Sequence, residues 1–195
     1  MRAMLFLSVV IFGIVYWRFF LRSDYIFKQE FEHVLAALTV PNRLALELSL
    51  VTGLRISDVL SLSSSKLSQR MTVRESKTGK TRRIYIPSEL LERLRRQAGK
   101  YYVFEGRNDP KKPRTRQAVY KDIKRAYRLF RLPTALQISP HSARKIYAVD
   151  QFHKTGDLKR VQKLLNHSSE AVTMVYALAD QMAARRKGAR DSLAP

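Results

Sequence analysis

The sequence contains no cysteine and is poor in acidic residues. Without cysteine among its 195 residues, the chain can form neither a disulfide framework nor a thiolate site. Its four histidines, with no cysteine beside them, are a poor ligand set for a structural zinc ion, and we expect no metal. Only 16 acidic residues oppose 37 lysines and arginines, a formal net charge of +21. So large an excess predicts a polyanionic partner, of which nucleic acid is the commonest.

A long apolar run, Ala3–Trp17, lies near the N-terminus and is shorter than the ~20 residues that span a bilayer. The small-residue cleavage site of a signal peptide does not follow it. We therefore expect residues 1–38 to form an apolar N-terminal helical segment, packed on the main domain of residues 39–195 or on a partner. A membrane anchor through residues 3–21 is less favoured. Export is least favoured, because it separates a basic protein from nucleic acid, so the expected location is the cytoplasm, at the nucleoid.

Two helices are predicted on either side of a glycine. Asn42 can cap the run Arg43–Thr52, which ends at Gly53. A second helix, about Arg55–Ser61, follows at once, so Arg55 lies at a junction between helices. Backbone N–H groups at the start of a helix bind anions, which suits a phosphate ligand.

Two strands are predicted, Met71–Arg74 and Thr81–Ile86, with residues 75–80 as the turn that connects them. The predicted fold class is mainly α with a small antiparallel β-sheet, an α+β arrangement, because the rest of the periodic sequence has helical spacing. These helical stretches cover about residues 89–97, 119–130, 139–155, 158–165 and 170–184. The fourth of them ends at Asn166, because asparagine tolerates the left-handed conformation of a helix C-terminus.

The helix near residues 119–130 combines an apolar stripe with a basic one. This pattern is typical of a helix that packs on a core and turns its charges to a phosphate backbone. A merely solvated charged face is the alternative. The apolar stripe consists of Val119, Ile123, Ala126, Tyr127 and Phe130. The predicted DNA-binding residues are Lys121, Lys124, Arg125 and Arg128.

Six polar residues supply the groups needed to move a phosphodiester onto a tyrosine without a metal. Two arginines can grip the non-bridging oxygens through bidentate forks. Lys77, at a hairpin tip, can protonate the leaving oxygen, a role for which Lys80 competes. His141 can accept the phenolic proton, and His167 can donate to a phosphate oxygen. In chain order the candidates are Arg55, Lys77, His141, Arg144, His167 and Tyr176.

From about Arg43 to Tyr176 the chain resembles the catalytic domain of the tyrosine recombinase (phage integrase) family. Residues 52–58, Thr-Gly-Leu-Arg-Ile-Ser-Asp, are similar to the first-arginine motif of that family. Residues 76–80, Ser-Lys-Thr-Gly-Lys, resemble the family's β-hairpin lysine turn.

The second half of the chain carries the rest of the resemblance. His-Ser-Ala-Arg at 141–144 matches the His-x-x-Arg motif, and residues 164–169 resemble the Leu-Gly-His-Ser-Ser stretch. Tyr176 lies nine residues after His167, where the family has its nucleophile. All six positions of the motif set are filled with suitable chemistry.

The resemblance implies the tyrosine recombinase catalytic-domain fold and site-specific DNA recombination, as in integration, excision or inversion. It implies a covalent 3′-phosphotyrosyl intermediate formed without metal, ATP or another cofactor. The implied partners are double-stranded DNA, other copies of the chain in a homo-tetramer on that DNA, and accessory DNA-bending proteins. By the same comparison, Asp58 would brace Arg55, and the tail after Tyr176 would dock on a neighbouring protomer.

Three departures from the family pattern are visible. Asn166 replaces the usual glycine, and Lys145 follows Arg144 where many members have a second histidine. About forty residues precede Pro41, too few for the helical DNA-clamping domain of the family. The third departure favours a second hypothesis, a catalytically silent DNA-binding remnant that regulates a recombination site. A third hypothesis, a type IB topoisomerase-like relaxase, is disfavoured by the short hairpin and the His-x-x-Arg helix.

Overall fold

The described chain is mainly helical, with a two-stranded sheet. The structure is a computed structural model that describes residue 26, residues 28–130 and residues 138–166. The helices are α1 (Lys28–Ala36), α2 (Val40–Thr52), α3 (Ile56–Leu60), α4 (Ser88–Gln97), α5 (Arg116–Leu129), α6 (His141–Thr155) and α7 (Leu158–Leu164). A 3₁₀ turn covers Ser64–Lys66, and the strands are β1 (Arg70–Arg74) and β2 (Thr81–Tyr85). This composition confirms the predicted fold class.

Helix α2 is central, because it packs against α3, α4 and α6. It begins at Val40, earlier than predicted, since Pro41 in the first turn has a helical φ and needs no N–H partner. Asn42 therefore lies inside the helix and is not its cap, which corrects the prediction. The buried Asn42 side chain instead donates to Asp122 Oδ2 at 2.7 Å. The buried apolar side chains of α2 are Leu44, Ala45, Leu46 and Leu48.

The two strands pair antiparallel, with Arg70 opposite Tyr85. Val73 and Ile84 point to the core and are buried, whereas the side chains on the other face are exposed. The hairpin therefore joins the core through one face only. Each predicted strand is confirmed to within about one residue at its ends.

Helix α1 belongs to the larger of the two hydrophobic clusters of the described chain. Phe31 and Val34 have 0% exposure and cluster there with Ile26 and Leu38. The described apolar residues before position 39 thus share one cluster with the helices that follow, and the predicted division at residue 38 stays a prediction. The run that prompted the membrane interpretation lies outside the described residues. Within residues 26, 28–130 and 138–166, no helix combines the length and apolarity needed to cross a bilayer.

Helix α5 carries the two stripes that the sequence predicts. Val119, Ile123 and Ala126 have 0% exposure, which confirms the apolar stripe along most of its length. Phe130 is 44% exposed because the helix ends at Leu129, so the prediction was wrong for the last member of the stripe.

Residues in the left-handed conformation end three of the helices. Gly53 follows α2 with φ 65°, and Gly156 follows α6 with φ 62°. Asn166, beyond α7, has φ 53°. All three were predicted helix ends, and each is confirmed. The turns at Gly53 and Asn166 bring the chain to the candidate site.

Candidate active site

Arg55 lies where the left-handed turn at Gly53 redirects the chain into α3. It occupies the N-cap position of that helix in an extended conformation, as the predicted junction between helices requires. Its side chain is only 7% exposed, and its Nη1 donates to Glu75 Oε2 at 2.5 Å. The turn thus buries a guanidinium group beside a carboxylate that the sequence prediction did not include.

Arg144 approaches the same place from α6. Its Nη1 donates to the carbonyl oxygen of Gly53 at 2.5 Å, and its Nη2 donates to that of Leu165 at 2.8 Å. The side chain is 2% exposed. Since Gly53 precedes Arg55 by two residues, the structure brings together the two arginines that the sequence predicts as phosphate ligands. Both lie in a setting of low dielectric, where their charges act strongly.

Arg82 is a third arginine in this cluster, with 9% of its side chain exposed, and the sequence prediction missed it. Its two terminal nitrogens donate to the carbonyl oxygens of Thr52 and Leu164. The alternation of side chains along β2 could have identified Arg82, because residues 82 and 84 share the face of the hairpin that joins the core. An arginine on that face must find polar partners when it is buried.

Glu75, at the end of β1, is the carboxylate at the centre of the cluster. It has 0% exposure, and its Oε1 accepts from Asn166 Nδ2 at 3.3 Å and lies 4.0 Å from Arg82 Nε. Burial alone would raise the pKa of this carboxyl. The hydrogen bond and charge of Arg55 act against burial, as do the charges of Arg144 and Arg82, and together they lower the pKa of the group below its usual range. Glu75 is therefore ionised when folded at neutral pH.

Asp58 lies close to this cluster on α3. Its Oδ1 accepts from the backbone N of Ser76 at 2.9 Å and from Ser76 Oγ at 2.6 Å. These bonds fix the start of the turn that carries Lys77. The bracing of Arg55 by Asp58 that the resemblance implies stays a prediction.

Lys77 and His141 lie nearer the surface than the arginines do. Lys77 is exposed in the turn between β1 and β2, which Gly79 closes with φ 67°. His141 is exposed in the first turn of α6, three residues before Arg144, and its backbone N donates to Ser139 Oγ at 3.2 Å.

His167 and Tyr176 lie outside the described residues, so the structure does not report on either of them. The last described residue before them is Asn166, whose side chain contacts Glu75 at the cluster. The carbonyl groups of the two residues before Asn166 accept from Arg82 and Arg144. The end of α7 is therefore fixed at the two arginines.

Tyr147 is a buried tyrosine beside the cluster, with 8% exposure. Its ring lies so close to Gly53 that a Cβ added there would be 2.3 Å from the ring. Burial raises the pKa of the Tyr147 phenol, against the opposing charges of Arg82 and Arg144. The ring therefore packs at the turn before Arg55 and keeps its proton at neutral pH.

The predicted DNA-binding side chains of α5 are all exposed, namely Lys121, Lys124, Arg125 and Arg128. Arg125 also forms two hydrogen bonds with Asp122 Oδ1, at 2.8 and 3.1 Å, and one with the carbonyl oxygen of Ala37 at 2.7 Å. Arg125 thus ties α5 to the end of α1, a role that its place in a basic stripe does not reveal.

Comparison with solved structures defines the class of fold. The structure of a lambda integrase (75–356) dimer bound to a COC′ core site superposes with a TM-score of 0.67 and 23% identity. The match covers 80% of this chain and 60% of that one. A lambda integrase tetramer bound to a Holliday junction gives a TM-score of 0.64 at 21% identity, over 77% of this chain and 47% of that one. The fold is that of tyrosine recombinase catalytic domains.

Sequence comparison then establishes the family. The chain is 33% identical over 138 residues to the probable integrase/recombinase YoeC of Bacillus subtilis, covering 67% of this chain and 73% of YoeC. It is 30% identical over 146 residues to the tyrosine recombinase XerA of Pyrococcus furiosus, covering 70% of this chain and 50% of XerA. The model of the phage integrase family matches residues 25–182. The chain belongs to the phage integrase family, and its match spans about half the length of XerA.

Proposed function

We propose that the chain is a tyrosine-type site-specific recombinase, which cleaves and rejoins DNA through a 3′-phosphotyrosyl intermediate. The observation that carries the proposal is the convergence of Arg55 and Arg144. Arg144 donates to the carbonyl of Gly53, and the charges of both arginines act on Glu75. Two guanidinium groups from separate helices are suited to hold the two non-bridging oxygens of one phosphodiester.

In the proposed reaction, the phenolic oxygen of Tyr176 attacks the phosphorus and forms a phosphotyrosyl bond. The bond between phosphorus and the 5′ oxygen of the next nucleotide breaks at the same centre. His141 takes the phenolic proton, Lys77 gives a proton to the departing 5′ oxygen, and His167 donates to a non-bridging oxygen. Attack of a 5′-hydroxyl on the phosphotyrosine reverses these steps. Rejoining therefore requires no cofactor, because the phosphotyrosine keeps the energy of the broken bond.

Double-stranded DNA is the proposed partner. The exposed side chains Lys121, Lys124 and Arg128 extend a basic surface along α5, which suits contacts with successive phosphates. The structurally similar lambda integrase is bound to its core site as a dimer and to a Holliday junction as a tetramer. Assembly of this chain as a homo-tetramer on DNA is proposed by analogy with that enzyme. The participation of accessory DNA-bending proteins stays a prediction from the family resemblance.

A second candidate function is a DNA-binding remnant without catalytic activity. The contact between Arg55 and Glu75 favours it, because the Glu75 carboxylate already accepts from one nitrogen of Arg55, a residue proposed to bind phosphate. Under this alternative the chain binds a recombination site and blocks or regulates it. It then forms no covalent bond with DNA.

Trapping on nicked DNA separates the two functions. A nick close to the cleavage position lets the short 5′-hydroxyl fragment diffuse away, so a phosphotyrosyl adduct accumulates. We expect the wild-type chain, incubated with candidate sites and denatured, to migrate as a DNA adduct. We expect Tyr176→Phe to form none and Tyr147→Phe, changed at a tyrosine beside the same arginines, to form it. The absence of a wild-type adduct on every candidate site contradicts the enzyme and favours the remnant.

A further inference from the structure

Glu75 is an unexpected group for a site that binds an anion. It is completely buried among arginines, and its carboxylate carries the same sign of charge as a phosphodiester. Its Oε2 accepts from Arg55 Nη1 at 2.5 Å and from Thr78 Oγ1 at 3.2 Å, and its Oε1 accepts from Asn166 Nδ2 at 3.3 Å. One side chain thus contacts three separate parts of the proposed active site.

We propose that Glu75 is a positioning residue, which fixes the guanidinium of Arg55 and ties it to the Lys77 turn and to the end of α7. The inference rests on the proposed function and deepens it. The backbone of Glu75 also closes the turn, because its N donates to Lys80 O at 2.9 Å and its O accepts from Gly79 N at 2.9 Å. A shift of this residue therefore moves the lysine and the arginine together.

The position and charge of Arg55 explain why the Glu75 carboxylate favours the proposed cleavage step and does not oppose it. An arginine side chain is flexible, and one that is fixed before the substrate arrives loses less freedom when the transition state forms. Glu75 is a single negative charge among Arg55, Arg82 and Arg144, so the cluster keeps a net positive charge. Removing the carboxylate should therefore slow the chemical step more than it weakens DNA binding.

Two substitutions separate position from charge. Glu75→Gln keeps the size of the side chain and removes the charge. Glu75→Asp keeps the charge, and hence the balance that holds the buried arginines in the fold, but is one carbon shorter and withdraws from Arg55. The matched control is Glu47→Gln. Glu47 is also a carboxylate between two arginines, 2.7 Å from Arg93 and 3.6 Å from Arg43, but it contacts none of the site residues that the structure describes.

The first measurement is the NMR spectrum of the arginine guanidinium groups in the free full-length chain, with Arg55 assigned through Arg55→Lys. In the wild type and in Glu47→Gln we expect separate Nη signals for Arg55, because the ion pair blocks rotation of the group. In Glu75→Gln and Glu75→Asp these signals should average. Unchanged Arg55 signals in a folded Glu75 variant overturn the proposal. This measurement needs no catalysis. It therefore tests whether Glu75 fixes the Arg55 guanidinium even if the wild type never cleaves DNA and the proposed function fails.

The second measurement is the single-turnover rate of adduct formation at saturating protein, together with the Kd for the same DNA. We expect Glu75→Gln to be slower by about 10- to 100-fold, with Kd within about threefold of the wild type. Glu75→Asp should also form the adduct more slowly, and this variant alone is used for the test if Glu75→Gln does not fold. Glu47→Gln should cleave within about twofold of the wild type. Wild-type cleavage rates in folded Glu75 variants, or an equal loss in Glu47→Gln, overturn the proposal.

Discussion

Arg82 and Arg144 donate to adjacent carbonyl groups at the ends of the same two helices. Arg82 reaches the carbonyl oxygens of Thr52 and Leu164, and Arg144 reaches those of the residue that follows each. The last carbonyl groups of a helix lack partners within it and carry the negative end of its dipole. The two guanidinium groups supply hydrogen-bond donors to these carbonyl groups and positive charge at the negative ends of the dipoles. The cluster proposed to hold phosphate therefore also joins α2 to α7.

Replacement of Arg82 should therefore destabilise the fold. Arg82→Met keeps the bulk of the side chain but leaves the carbonyl groups of Thr52 and Leu164 without this donor and removes a positive charge beside Glu75. We expect the free energy of unfolding, measured by urea denaturation, to fall by about 2–4 kcal/mol. The control is Arg83→Met on the exposed face of the same strand, which should change stability by less than about 0.5 kcal/mol. Equal effects of the two substitutions would contradict the role of Arg82.

Gly53 should tolerate alanine less well than Gly156 does, although both end helices in the left-handed conformation. An alanine at either position costs about 1–2 kcal/mol in backbone energy. At Gly53 the new Cβ also meets the Tyr147 ring at 2.3 Å, whereas at Gly156 nothing lies within 4 Å. We expect Gly53→Ala to cost about 1–3 kcal/mol more than Gly156→Ala in thermal or urea unfolding. Equal losses of stability in the two variants would show that the Tyr147 ring leaves room for a Cβ at position 53.

The sequence predicted the features of the fold that depend on neighbouring residues. Alternation predicted the hairpin, and the left-handed tolerance of glycine and asparagine predicted the helix ends at Gly53, Gly156 and Asn166. The place of Arg55 between two helices followed from the same signals. Each of these predictions rests on a preference that operates within a few residues along the chain.

The contacts inside the site could not be predicted in the same way. Glu75 pairs with Arg55 across 20 positions, and Arg125 lies beside an aspartate that also holds Thr39 and Asn42, about 80 positions away. Periodicity identifies the face of an element on which a charge lies. It does not identify which opposite charge folding will bring to that face. The sequence therefore did not reveal the contact of Arg125 with Asp122.

Asp122 should make stability depend on pH. Burial alone would raise its pKa, but hydrogen bonds from Asn42, Thr39 and Arg125 lower it below the usual range. A carboxyl with a lowered pKa in the folded state stabilises the fold above its unfolded pKa of about 4, and this contribution is lost as the pH falls through the folded value.

We expect Asp122→Asn to lower the free energy of unfolding by about 1–3 kcal/mol at pH 7. The difference from the wild type should shrink as the pH falls below about 4 and the wild-type carboxyl takes up its proton. Urea unfolding at a series of pH values measures both curves, and Glu75 is present in both proteins. A difference that does not change with falling pH would show that Asp122 gains nothing from its charge.

The exposed basic side chains of α5 should contribute to DNA affinity without reading its sequence. Charge reversal at Lys124 and Arg128 should weaken binding to all DNA sequences alike. It should also reduce the slope of log K against log salt by about 2, since each phosphate contact contributes about 0.9. Reversal of Arg95 and Arg96, exposed on α4, changes the net charge equally and serves as the control. Equal slopes for both variants would place the α5 side chains in an ordinary solvated face.

The identity of the residue bonded to DNA tests the central claim most directly. Trypsin cuts after Lys163 and Arg185, which leaves a peptide of residues 164–185 with Tyr176 as its single tyrosine. Mass spectrometry of a digested, nuclease-trimmed adduct should find the nucleotide on this peptide, at Tyr176, through an alkali-stable 3′ linkage. A nucleotide on any other residue, such as the buried Tyr147, or an unmodified Tyr176 in chain recovered from the adduct, would contradict the account.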